Sequence, residues 1–320
     1  MTKSRLHFLV LLFSALILQA SCSPQPSNTI IPNTPIPEIS PTPFTVTDGL
    51  GRSITLEAYP QRIVSLAPSN TEILYAIGAG DRVVGRDEFS DYPPEAKNLP
   101  SVGGGFGDYN NEAIVQLKPN LVLAAEINTP EQVKALEDLG VTIYYLSNPT
   151  TLDEMFSNLA TVAQLTGNQS EAETLVASLQ ERVKAVNEKI MPLSYRPSVF
   201  YELDATDPNA PYTAGSDTFV NTLIDMAGGF NIASDIAGQY LQMSSEELLV
   251  RNPSVILLGD AAYGVSVEDV KARPGWSQIA AVMNDQIFTF DDNLVSRPGP
   301  RLVDGLEELV KLLHPGIMDQ

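Results

Sequence analysis

The chain has 320 residues, 43% of them hydrophobic and 18% charged, which is enough for two ordinary domains, each with its own core. Its formal charge of −20 repels nucleic acid and anionic lipid and sets polyanion binding aside. One cysteine, Cys22, rules out intrachain disulfides and cysteine-rich zinc sites, and two histidines, His7 and His314, leave no imidazole cluster for a transition metal.

Residues 1–21 begin with Lys3 and Arg5, continue through a mostly apolar run from Phe8 to Leu18, and close on Ala20-Ser21. This is the layout of a secretory signal peptide, and its apolar run is short for a bilayer span. Without these residues 17 basic side chains face 39 acidic ones, a charge of −22. Cys22, directly after small residues, is similar to a bacterial lipoprotein box, in which the thiol is acylated and becomes the new N-terminus. Gln19 departs from that pattern, which prefers leucine three places before the cysteine. Residues 22–43 then carry prolines at 24, 26, 32, 35, 37, 41 and 43. Such a stretch favours extended polyproline II, and at ~3.1 Å per residue it reaches on the order of 60 Å. It reads as a lipidated anchor followed by a linker.

The globular part starts with Phe44–Leu56, whose alternating runs around Asp48-Gly49 predict a hairpin. Strands are expected at Arg62–Pro68, Leu121–Ala125 and Thr142–Leu146, with helices between them. Ser69, with Glu72 three residues later, has the spacing of a capping box. From Thr151 to Ile190 the pattern is helical, broken near Thr166-Gly167-Asn168, and Ser170–Ile190 reads as one long amphipathic helix. A second series opens at Val199-Phe200-Tyr201, with strands at Val255–Leu258 and Ile287–Phe290 and a last helix near Leu302–Leu313. Alternation of strand and helix predicts an α/β protein with parallel sheets. The expected division is an N-terminal lobe over 44–168, a connecting helix over 169–192 and a C-terminal lobe over 193–320.

An internal repeat supports two copies of one lobe. Glu112-Ala-Ile-Val-Gln-Leu-Lys-Pro119-Asn-Leu-Val-Leu matches Glu246-Glu-Leu-Leu-Val-Arg-Asn-Pro253-Ser-Val-Ile-Leu. Each is a short helix opened by a glutamate, a turn through proline and an apolar strand. A first-turn carboxylate is explained by the helix dipole alone. Two equivalent exposed carboxylates, one per lobe, also suit a pseudo-symmetric partner with two basic pockets. A fainter pair joins Ser69-Asn-Thr-Glu to Ser216-Asp-Thr-Phe, each followed by glycines.

No signature of catalysis is found. There is no G-x-S-x-G elbow, and His314 stands alone near the C-terminus. The run Gly103-Gly-Gly-Phe-Gly107 lacks the Lys-Ser/Thr of a phosphate-binding loop. Aromatic residues instead gather in loops after predicted strands: Phe89, Tyr92, Phe106, Tyr109, Tyr212 and Tyr240. Loop aromatics at strand ends are placed to line a cleft.

The segments RIVSLAPSNTEILYAIGAGDRVVG, FSDYPPEA, EAIVQLKPNLVLA and SRPGPRLVDGLEEL together resemble the cobalamin and ferric-siderophore class of ABC-transporter solute-binding proteins, over about Thr47 to Leu313. The resemblance implies a class III periplasmic-binding-protein fold: two Rossmann-like lobes joined by one long helix, little hinge closure, and ligand held between the lobes. Cobalamin carriers are the nearest match within it. Their aromatic cleft positions fall on Phe89, Phe106, Tyr212 and Tyr240, two of which (Phe106 and Tyr240) replace tryptophans. Tyr109 lies on the same loop as Phe106. Their acidic cleft residue falls on Asn293 beside Asp292, their arginine on Arg297, and their transporter-docking glutamates on Glu112 and Glu246. The implied protein is a monomeric, extracytoplasmic, lipid-anchored binding protein without a cofactor or bound metal of its own. It serves a permease dimer whose ATPase subunits hydrolyse ATP. A corrinoid is the favoured ligand, with a ferric siderophore or heme as the alternative. An enzyme on a related scaffold, or an anchored protein that only contacts partners, are the readings from other classes.

Overall fold

The computed structural model describes residues 43–105 and 108–318. Cys22, the signal peptide and Phe106 lie outside the described residues, as does the linker through residue 42. No helix among the described residues is long and apolar enough to cross a membrane.

The hairpin forms as its turn chemistry demands. β1 (Phe44–Thr47) pairs antiparallel with β2 (Ser53–Leu56). The Asp48 carboxylate accepts hydrogen bonds from the backbone N–H groups of Leu50 (3.0 Å) and Arg52 (2.9 Å), closing the turn. Its other oxygen accepts from Tyr145 N–H at 3.2 Å, which ties the hairpin to the main sheet.

The first lobe alternates strand and helix: β3 (Ile63–Ser65), α1 (Pro68–Ala76), β4 (Val83–Arg86), α2 (Asn111–Gln116), β5 (Leu121–Ala125), α3 (Pro130–Asp138) and β6 (Ile143–Leu146). The strands form a parallel sheet in the order β4-β3-β5-β6. β5 and β6 are buried along their whole length, as the uninterrupted apolar runs require of a sheet covered on both faces. α4 (Leu152–Thr166) ends at Gly167, whose φ of 81° supplies the left-handed cap. α5 (Gln169–Ile190) follows at once.

The second lobe contains β7 (Ser198–Asp204), β8 (Tyr212–Ala214), α6 (Phe219–Met226), β9 (Phe230–Asn231), β10 (Tyr240–Gln242), α7 (Ser245–Arg251), β11 (Val255–Leu258), α8 (Val267–Ala272), α9 (Ala280–Met283), β12 (Ile287–Thr289), α10 (Asn293–Ser296) and α11 (Leu302–Leu313). Its sheet runs β10-β8-β7-β11-β12, with β9 also paired to β7. The β7-β11-β12 part is parallel, but β8 and β10 are antiparallel additions at one edge. The repeat has a geometric counterpart. Lys118 and Asn252, each just before the proline that leads into a strand, both have positive φ (48° and 44°). Gly78 and Gly228 each lie two residues beyond the helices α1 and α6 with φ of 80° and 74°.

One hydrophobic cluster runs through both lobes. It joins Ile73 and Leu74 of α1, Leu159 of α4, Leu179 and Val186 of α5, Leu223 of α6 and Leu306 and Leu309 of α11. The far faces of the two sheets have separate clusters around Val122 and Phe200. The helices between the lobes thus share a core, and sliding one lobe past the other would expose it.

Candidate functional site

Ligands of open α/β sheets bind beyond the carboxyl ends of the strands. Between the lobes, a pocket of about 470 Å³ opens at the carboxyl ends of β5 and β6, within the usual size of a small-molecule site. The first lobe contributes Glu126, just past β5, and Asn148–Thr150, just past β6. The second contributes the turn Ser216–Thr218 before α6, Gln239 and Tyr240 at the start of β10, and Ser296 and Pro298. The lining is rich in hydroxyl and amide groups. Glu126 and Asp217 are its only charged side chains among the described residues, and no lysine, arginine or histidine borders it.

Tyr212 and Tyr240 stand on the antiparallel edge strands. Tyr240 pairs with Ala214 and Gln242 with Tyr212, so the two tyrosines share one face of the ribbon as diagonal neighbours. They are 42% and 55% exposed. Phe89 sits three residues past β4 and is 37% exposed. A buried polar network holds its loop. The Asp87 carboxylate accepts from Phe89 N–H (2.9 Å) and from the Ser90 hydroxyl. Ser90 meets Thr71 at 2.7 Å, and Thr71 donates to Ser65 at 2.8 Å. Burial pushes the Asp87 carboxyl above its ordinary value, against the pull of those hydrogen bonds.

Of the described residues expected at the cleft, only Tyr240 lines the pocket itself. Tyr109, Asp292 and Arg297 have protein partners. The Tyr109 hydroxyl donates to the Leu66 carbonyl and accepts from Asn128 Nδ2, both at 2.8 Å. Burial, reinforced by the Asp87 charge, pushes its pKa up to about 12, so it remains a donor. Asp292 accepts from the buried Tyr201 hydroxyl at 2.7 Å. Arg297 reaches across to the first lobe, with Nη1 at 2.7 Å from Asp91 and 3.4 Å from Glu72, and Nη2 donating to the Phe89 carbonyl at 3.2 Å.

Glu72 corrects the capping-box expectation. Ala67 is the N-cap of α1, no side chain caps the helix, and Pro68 opens it. Glu72 is buried instead and receives a two-pronged bond from Arg301, at 2.8 and 2.6 Å. Glu112 and Glu246 are exposed in the first turns of α2 and α7, whose caps are Asn110 and Ser244. Neither has an ion-pair partner among the described residues. Sequence reasoning passed over Glu126, Asn148 and Thr150; their signal was position, one to four residues past the buried strands β5 and β6.

Residues 63–294 match the profile of the family described as "Periplasmic binding protein". The chain is 36% identical over 278 residues to the uncharacterized ABC transporter substrate-binding lipoprotein YvrC of Bacillus subtilis, covering 85% of this chain and 86% of that one. Among solved structures it is similar to the periplasmic vitamin B12-binding protein BtuF of Vibrio cholerae, with a TM-score of 0.68 and 30% identity over 82% of this chain and 99% of the other. The periplasmic heme-binding protein RhuT of Roseiflexus gives a TM-score of 0.72 and 30% identity over 80% and 99%. With two α/β lobes facing across a pocket at their strand ends, the chain belongs to the periplasmic binding protein family.

Proposed function

We propose that this protein is the lipid-anchored, extracytoplasmic substrate-binding component of an ABC importer, and that its cargo is a corrinoid. The observation that carries the cargo reading is the charge of the pocket. Glu126 and Asp217 face it, and no basic side chain among the described residues does. An anionic ferric chelate, or a heme with its propionates, would enter against that field. A corrinoid with a fringe of neutral amides would meet hydroxyl and amide partners instead. It is larger than the pocket and would extend along the cleft toward Tyr212 and Phe89, where exposed rings offer stacking surface. Heme would also want an axial ligand, for which the Tyr240 hydroxyl at the pocket is a weak substitute for histidine or cysteine. His314 lies away from the cleft, its Nε2 at 3.3 Å from the Gly228 carbonyl. The name of the Bacillus subtilis relative supports the anchor at Cys22, and that of the Vibrio cholerae structure supports the cargo. Glu112 and Glu246 are the residues we assign to docking on the permease, one from each lobe.

Calorimetric titration with cyanocobalamin, cobinamide, hemin and ferric catecholate and hydroxamate chelates tests the cargo. Saturable one-to-one binding of the corrinoids is expected, with anionic chelates bound more weakly or not at all. Tight binding of hemin or a ferric catecholate, with none of either corrinoid, would sink the assignment.

A further inference from the structure

The segment from Ser296 to Arg301 has two sides. Ser296 and Pro298 face the pocket, whereas Arg297 and Arg301 point into the first lobe and converge on Glu72. Glu72 is 2% exposed, and both guanidinium groups are nearly buried. A carboxylate this deep is tolerable only with well-placed donors, and Arg301 supplies two in the fixed fork geometry that lysine lacks. Arg297 extends the contact to Asp91 and the Phe89 carbonyl, and Arg301 also stacks on the Tyr92 ring, its guanidinium carbon 4.0 Å from the ring centre. The bonds therefore end on both ends of the loop that carries the Phe89 ring. A second tie lies beside them, where Arg182 of α5 meets Asp304 (2.6 Å) and Glu307 (2.7 Å) of α11.

Resting on the reading of the cleft as the cargo site, we propose that Glu72, Arg297 and Arg301 are positioning residues. They form an ionic clasp that sets the 89–92 loop and the Ser296–Pro298 wall at a fixed distance across the cleft. Arg297 acts on cargo through this contact and not by touching it. The clasp lies between lobes whose helices share a core, so it defines the cleft before cargo arrives and lowers the ordering cost of binding.

Hydrogen exchange of the cargo-free protein tests this, with corrinoid affinity measured alongside. In Glu72→Gln, exchange in residues 89–94 and 297–301 is expected to rise about tenfold or more beyond any rise at α4 amides around Leu159, which report global stability. Corrinoid affinity should fall in the same variant. Arg301→Lys keeps the charge and loses the fork; it should give a smaller rise at the same places, and it serves where Glu72→Gln does not fold. Unchanged exchange in these segments would overturn the clasp. So would a uniform rise across α4 and α11, which marks general destabilisation. The exchange measurement needs no cargo, so a wild-type chain that binds no corrinoid would count against the proposed cargo alone.

Discussion

Glu72 and Glu126 both belong to the first lobe, on α1 and just past β5, and have opposite surroundings. Glu72 is buried among two arginines from the other lobe. Glu126 is exposed at the pocket and has no ion-pair partner among the described residues. A charge that holds structure together must be compensated where it is desolvated. A charge that selects among ligands must face solvent uncompensated, so that its field reaches the incoming molecule. Glu112 and Glu246 are likewise exposed, in the first turns of α2 and α7, with no ion-pair partner among the described residues.

The comparison is tested most severely at those two glutamates. Reversing both to lysine is expected to reduce import by about 100-fold or more, through like-charge contact with a basic partner, and to leave cargo affinity unchanged. Uptake by whole cells and titration of the purified variant check the two halves, and lost affinity would mean that the residues support the fold. Next in size, Glu72→Ala should cost about 3–5 kcal/mol of stability, because the nearly buried Arg301 guanidinium loses its two-pronged partner while Arg297 keeps Asp91. Denaturant unfolding measures this, and a cost under about 1 kcal/mol would place Glu72 with the surface charges.

Asp260 is an intermediate case, buried beside a compensated pair without being compensated itself. Arg273 makes a two-pronged bond to Glu202 of β7, whereas Asp260 accepts only from Ala205 N–H (3.1 Å), and its Oδ1 is buried without a partner among the described residues. Burial, then the Glu202 charge, raises its carboxyl to about 6. Unfolded aspartate titrates near 3.9, so the folded protein binds more protons between about pH 4 and 6. Stability from this group is therefore highest below that window and falls as pH rises through it. Asp260→Asn should stabilise the protein at pH 7.5 by on the order of 1–3 kcal/mol, with the gain vanishing near pH 4. Thermal unfolding across that range measures it, and a pH-independent difference would contradict the account. The smallest effect belongs to Glu126→Ala, expected within about 0.5 kcal/mol of wild type in stability. The same variant should narrow the preference for corrinoid over anionic chelate.

The sequence was most legible where local pattern and tertiary role agree. Leu121–Ala125, Val255–Leu258 and Leu302–Leu313 have the bounds that their apolar runs predict. The repeat was legible because both copies need the same turn, and Lys118 and Asn252 share its unusual backbone conformation. β8 and β10 were not. Each is three residues long; β8 exists through its pairing with β7 and β10 through its pairing with β8, which no local pattern announces. Glu72 was misread because the Ser-x-x-Glu spacing is a local signal, whereas its partners lie 225 and 229 residues away. The charge of the pocket was legible only as overall acidity; its meaning depends on which strand ends are brought together.

A crystal structure of the protein soaked with or grown in cyanocobalamin tests the account most directly. The prediction is a corrinoid between the lobes, in contact with Tyr240 and the strand ends at Glu126 and Asn148, with the bond between Glu72 and Arg301 unbroken. A cleft empty at saturating corrinoid, or a ligand seated outside it, would contradict the account.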